Sequence, residues 1–192
     1  GIISSGHTNH YALKNKTVEH VSDAPGNSIF FPENVTFLAK MTKSNSGQKT
    51  YLGSLLLHHQ FKSILFEEHF GVVDYDWTLR IFHRQSSLEI CKSLYTRHVD
   101  EKNLSKSDGY RKKDFYYSLY ALEEYQNEYP RAYQKAYRRI HGSRARYFYS
   151  INNMKKARFY LKKAECSWKT FAYFMTSYLG YKWVQNRFRV FE

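Results

Sequence analysis

Cysteine is nearly missing: Cys91 and Cys166 stand far apart, and no Cys/His cluster has zinc-finger spacing. That excludes a disulfide framework and leaves two reduced structural thiols as the expectation. The chain has no charged start followed by an apolar run, so nothing reads as a signal peptide. Its longest apolar stretch, from Phe171 to Val184, is broken by Thr176, Ser177 and Lys182. It falls short of the roughly 20 residues that a membrane-spanning helix needs. A Gly-rich phosphate loop is missing too, and no Asp-x-Asp pair precedes Asp74. The formal sequons at Asn15, Asn34 and Asn103 read as chance in such a chain.

What the chain has in excess is tyrosine and positive charge. Eighteen Tyr and 14 Phe supply rings that bury large areas while each phenol keeps one polar end wet. The net charge of +13 is uneven: residues 1 to 100 hold 10 Lys+Arg against 9 Asp+Glu, and the remainder hold 20 against 8. The basicity therefore belongs to the second half, where it can attract nucleic acid, anionic lipid or phosphorylated substrates. A hydrophobic fraction of 42% predicts a globular protein rather than a wholly disordered chain.

Patterning divides the chain near residue 110. Before it, turns at Asp23-Ala24-Pro25-Gly26-Asn27 and Lys43-Ser44-Asn45-Ser46-Gly47-Gln48 separate short apolar runs. These predict one or two strands in residues 1 to 28, a short helix through Val35, Leu38, Ala39 and Thr42 with Pro32 near its first turn, and a strand from Ser87 to Tyr95. From Arg111 onward helical spacing takes over. One helix is predicted before Tyr129-Pro130 and a second after it, extended or replaced by another beyond His141-Gly142-Ser143. A third is capped by the pair Asn152-Asn153 and runs to Ala164, and a last is capped by Ser167 and runs to Trp183. Residues 144 to 180 look like a helix hairpin of the tetratricopeptide kind, but one unit is too short for a solenoid, which needs about three repeats.

The densest chemistry is Asp74-Tyr75-Asp76-Trp77-Thr78-Leu79-Arg80, two acids at the head of an amphipathic segment. This run resembles the Glu-Asp-x-Asp-x-Trp-x-x-Arg block of family 2 glycosyltransferases, with Val73 where the family usually has Glu and the Trp displaced by about a residue. Downstream, Leu94-Tyr95-Thr96-Arg97-His98 and Asn103-Leu104-Ser105 resemble the family's Tyr-Arg-x-His and Asn-x-Ser tail in the same order. Upstream, Gly53-Ser54 and Phe66-Glu67-Glu68-His69-Phe70-Gly71 resemble the turns before its base.

The resemblance implies an α/β fold, a partial GT-A-like core over residues 1–110, followed by an all-α extension over 111–192. It also implies inverting transfer of a sugar from a nucleotide-sugar donor to a hydroxyl of a glycan or lipid-linked acceptor. Asp74 would be the base. Gly53, Ser54, Asp76, Trp77, Arg80 and Arg97 would line the substrate, and His98 would contact a divalent cation (Mn or Mg). Asp76 and Arg80 are also an i, i+4 pair that supports a helix. The segment that carries the nucleotide and most of the metal site would be lacking. An Asp-x-Asp metal role for Asp74 and Asp76 is set aside, since too few residues precede them for the nucleotide-binding half. The start of a helix is expected to favour the ionised form of Asp74.

Family relatives often use lipid-diphosphate acceptors. With the basic tail, this makes an anionic membrane surface met by Lys155, Lys156, Arg158, Lys162 and Lys163 the expected partner, on the cytoplasmic side. The alternatives are a basic helical module that binds nucleic acid through Lys/Arg interleaved with aromatics, or a protein-interaction module.

Overall fold

A computed structural model of the chain describes residues 1–12, 15–24, 26–44, 46–49, 51–67, 74–99 and 107–179. It is mixed α/β, with five strands in one curled sheet and six α-helices among the described residues. The chain divides into two compact units, Gly1–Tyr117 and Ser118–Glu192. The division falls inside a helix, α3 (Asp108–Glu123), a little beyond residue 111, where the sequence pattern changes.

In the first unit the central strand is β1 (Ile2–Tyr11). One edge of β1 pairs antiparallel with both β2 (Lys16–His20) and β4 (Leu55–Leu57), and the other lies parallel to β5 (Ser87–Val99). Strand β3 (Ser28–Phe31) closes the far side, antiparallel to β5. A parallel pair needs a long crossover, and the chain between β1 and β5 supplies it with β2 to β4 and the helices α1 (Val35–Met41) and α2 (Asp74–Phe82). The β1–β5 register shifts on both sides of Gly6. A side chain there would put Cβ 2.7 Å from Val21 Cγ2 and 2.8 Å from the His20 carbonyl oxygen, so the irregularity requires glycine.

Helical spacing explains the core beside the sheet. Phe37, Ala39 and Met41 of α1 and Trp77, Leu79, Ile81 and Phe82 of α2 are buried, as are Ile2, Phe31 and Phe61. Each large side chain so buried contributes about 1.5–3 kcal/mol. The Tyr75 hydroxyl donates to the Met41 carbonyl at 2.7 Å, tying the end of α1 to the first turn of α2. Thr36 and Ser87 hydroxyls lie 2.9 Å apart and tie α1 to β5. Pro32 stands outside α1, whose cap is Asn34 at φ 63°. Strand β5 continues past the expected end at Tyr95 to Val99, because β1 keeps pairing with it as far as Tyr11.

In the second unit α4 (Pro130–Ser150) opens on proline, whose missing N–H costs nothing at a first helical position. It runs straight through His141-Gly142-Ser143, where a break had been an open alternative. Burial of Ile140, His141, Arg144 and Ala145 outweighs the roughly 1 kcal/mol cost of a mid-helix glycine. The Asn153 side chain accepts the Lys156 N–H at 3.2 Å and starts α5 (Met154–Leu161). The Ser167 hydroxyl accepts the Thr170 N–H at 3.1 Å and starts α6 (Trp168–Thr176). Ser167 is the cap predicted from sequence, and Asn153 is the member of the predicted Asn152-Asn153 pair that caps. Ala145, Phe148, Tyr149, Ala157, Leu161 and Tyr173 form the core of the three helices, and the buried Tyr149 hydroxyl is satisfied by Thr176 Oγ1 at 2.9 Å. α5 ends before Ala164 because Lys163 and Ala164 close 3-10-type turns on Tyr160 and Leu161. The expected end of the last helix at Trp183 lies outside the described residues.

Candidate active site

Three segments of the first unit converge on a cleft of about 260 Å³: Lys40 from α1, Tyr51, Leu52 and Leu55 from the turn into β4, and Asp74, Tyr75 and Thr78 from α2. Side-chain hydrogen bonds build the turn. The Ser54 hydroxyl donates to the Tyr51 carbonyl at 2.9 Å and accepts the Tyr51 N–H at 3.2 Å, which holds Tyr51 at the cleft wall. Gly53 leaves room beside it, since a Cβ there would sit 2.5 Å from the Tyr95 ring. Tyr51 stacks on Tyr95 with centroids 5.5 Å apart, and the Arg97 guanidinium lies 4.8 Å from the Tyr51 centroid. His7 tilts against Tyr51 at 5.7 Å and stacks on His20 at 4.8 Å. A row of rings thus leads from β2 across β1 to the cleft.

Asp74 is the first residue of α2 and is exposed at the cleft. The start of the helix was expected to keep its carboxyl readily ionised. Instead the carboxyl is pushed above its ordinary value, first by burial, then by the Asp114 carboxylate, with Arg97 opposing. Desolvation and the second carboxylate outweigh the helix amides, and water on the exposed part of the group tempers the shift. The same pair of acids, after burial, raises the Tyr110 hydroxyl. On the cationic side, burial lowers Lys40 to about 8 against the pull of Glu89. His7 is lowered by burial, then by His20, Arg97 and Lys40. Asp74 and Lys40 thus line one small cleft, each partly withdrawn from water.

The structure sorts the residues expected from the sequence. Arg97 acts on Asp74 and covers Tyr51, so it belongs to the cleft's surroundings. Gly53 and Ser54 shape the turn that presents Tyr51. Asp76 and Arg80 make the i, i+4 ion pair at 2.8 Å, with Arg80 also donating to the Leu65 carbonyl at 2.9 Å. Trp77 is 8% exposed, donates to the Ile64 carbonyl at 2.9 Å and stacks on Phe66 at 4.7 Å, so its ring is committed to the core. His98 is exposed, with the His10 ring edge-on at 5.3 Å. Among the described residues no group of three His, Cys, Asp or Glu is placed to hold a metal. Val73, the turn over residues 68–71 and Asn103-Leu104-Ser105 lie outside the described residues.

Lys155, Lys156, Lys162 and Lys163 are exposed on the second unit, while Arg158 donates to the Ser177 carbonyl at 2.9 Å. No helix among the described residues is long and apolar enough to cross a membrane.

Sequence reasoning missed Lys40, Tyr51, Asp114 and Tyr110. Lys40 follows an apolar helical face and reads as its solvated edge, and nothing local marks Asp114. Tyr51 carried a signal, because it stands immediately before the Leu52-Gly53-Ser54 turn. Comparison with protein-family models, curated proteins and solved structures finds no match to the chain.

Proposed function

We propose that the chain is the acceptor side of an inverting glycosyltransferase similar to family 2, and that its curled sheet is part of a GT-A-type core. The observation that carries this reading is the Asp74 carboxylate lining a cleft beside Tyr51 and Thr78, in the run that resembles the family's base. In the reaction, the acceptor hydroxyl oxygen bonds to the anomeric carbon of the donor sugar and the bond from that carbon to the nucleoside diphosphate breaks. The hydroxyl proton passes to Asp74. A carboxylate made more basic by its surroundings takes up that proton more readily. Tyr51, held flat by Tyr95 and Arg97, gives the acceptor's C–H face an aromatic wall.

Because this portion by itself is expected to be inactive, the test is nucleoside diphosphate release from a panel of nucleotide sugars with manganese in the enzyme joined to its nucleotide-binding half, wild type against Asp74→Asn. The expected result is a fall in turnover of roughly 10²–10⁴-fold with an unchanged thermal midpoint. Retained turnover refutes the base.

A second observation favours a separate role for the second unit. Trp168, Phe171, Met175 and Tyr178 are exposed at helical spacing along and just past α6, and Trp168 is 81% exposed. With Lys155, Lys156, Lys162 and Lys163 exposed in the same unit, they supply the rings and cations that an anionic membrane surface recognises. We therefore propose that this unit binds anionic lipid. Tighter binding to an oligonucleotide than to anionic vesicles would support the nucleic-acid alternative instead.

A further inference from the structure

Lys40 lines the cleft, yet the proton transfer above gives it no task. Its ammonium has no ion pair or hydrogen bond among the described residues, and it is only partly exposed. Glu89 acts on it through space, but that carboxylate is fully buried and its Oε2 accepts the Lys49 N–H at 2.8 Å. The neighbouring hydroxyls of Tyr75 and Thr78 donate to the carbonyls of Met41 and Asp74. A partly desolvated cation with no acceptor is stabilised by any anion that enters beside it.

We infer that the cleft is a subsite for a phosphoryl oxyanion of the substrate, with Lys40 as its counter-charge. A cleft lined by both a carboxylate and an ammonium that are not paired with each other suits a ligand offering a hydroxyl to one and an oxyanion to the other. The phosphoryl identity rests on the transferase reading, in which the released nucleoside diphosphate and a lipid-diphosphate acceptor both carry that group. The charged form of Lys40 gives way to the neutral amine as pH rises through about 8. The titratable groups around it are Glu89 of β5, His7 of β1, Asp74 and Tyr75 of α2, and Tyr51 of the turn.

The experiment is calorimetric titration of the full chain in EDTA with inorganic phosphate, uridine diphosphate and isopentenyl diphosphate. Wild type, Lys40→Met, Lys40→Arg, Asp74→Asn and the fourfold Gln variant of Lys155, Lys156, Lys162 and Lys163 are compared, each checked for folding by circular dichroism. Diphosphate affinity is expected to fall at least tenfold in Lys40→Met, to persist in Lys40→Arg and the fourfold variant, and to weaken as pH passes upward through about 8. A preference for uridine diphosphate would assign the oxyanion to the donor, and a preference for isopentenyl diphosphate would assign it to the acceptor. Unchanged affinity in Lys40→Met, or loss only in the fourfold variant, overturns the subsite. If the diphosphates fail to bind while Asp74→Asn abolishes turnover, the subsite falls and the transferase stands. If they bind through Lys40 while Asp74→Asn keeps full turnover, Asp74 as base falls and the anion site stands.

Discussion

Arg97 lies 4.8 Å over the ring of Tyr51 and Arg158 lies 4.6 Å over the ring of Tyr178, the same contact in two settings. In the sheet unit the pair stands beside a carboxylate, and Arg97 helps set the charge of Asp74. In the helical unit Arg158 spends a donor on the Ser177 carbonyl and Tyr178 remains 65% exposed. Surplus charge and chemistry are therefore in different places. Residues 1 to 100 are nearly neutral by count, yet two of their charged groups, Lys40 and Asp74, line one cleft. The helical unit carries the excess on open surface, where each charge is screened and acts only in numbers.

The largest expected effect separates the two units outright. Asp74→Asn should reduce turnover by the 10²–10⁴-fold of a lost base and leave vesicle binding untouched. A parallel loss of vesicle binding would mean that the units do not divide the work in this way.

The reverse experiment comes next in size. Exchanging Lys155, Lys156, Lys162 and Lys163 for Gln removes about 1 kcal/mol of attraction per residue near an anionic leaflet. Sedimentation with phosphatidylserine-rich vesicles at low salt should weaken by on the order of 10²-fold or more, with nucleoside diphosphate release unaffected in the absence of membrane. Wild-type protein that ignores such vesicles ends the membrane proposal.

These two units were not equally legible in the sequence. Ser167 and Asn153 could be read as caps because capping is local: a side-chain oxygen reaches a backbone N–H three residues on. The strand starting at Ser87 and the helix starting at Asp74 could be read from periodicity. The parallel β1–β5 pairing could not, since it joins residues more than eighty positions apart. The site divided along the same line. Asp74 is visible because it sits in a compact motif, and Arg97 because it belongs to a second motif. Lys40 and Asp114 come to Asp74 only through the packing of α1 and the start of α3, which no local pattern records. Trp77 had two readings in sequence, a sugar contact and core packing, and its indole N–H donates to the Ile64 carbonyl from a buried ring.

Gly53→Ala probes how the cleft wall is built. The added methyl would lie 2.5 Å from the Tyr95 ring, and that ring must swing away from Tyr51. Because it is the end of a side chain rather than backbone, the cost should be about 1 kcal/mol, read as a lower denaturant midpoint. KM for the acceptor should rise with it, and vesicle binding should stay as in wild type. A normal midpoint together with an intact Tyr51–Tyr95 stack would show that the turn has more room than its geometry indicates.

The smallest effect is the most specific to the sheet unit. Asp114 raises the Asp74 carboxyl and Arg97 lowers it, so the two neighbours should move the acid limb of kcat/KM in opposite directions. Asp114→Asn removes a repulsion that disfavours the charged carboxylate, and the limb should shift to lower pH. Arg97→Met removes an attraction and should shift it to higher pH. A structural role for either residue would change the height of the profile and not its position. Movement of both variants in one direction, or of neither, would assign the limb to a group other than Asp74.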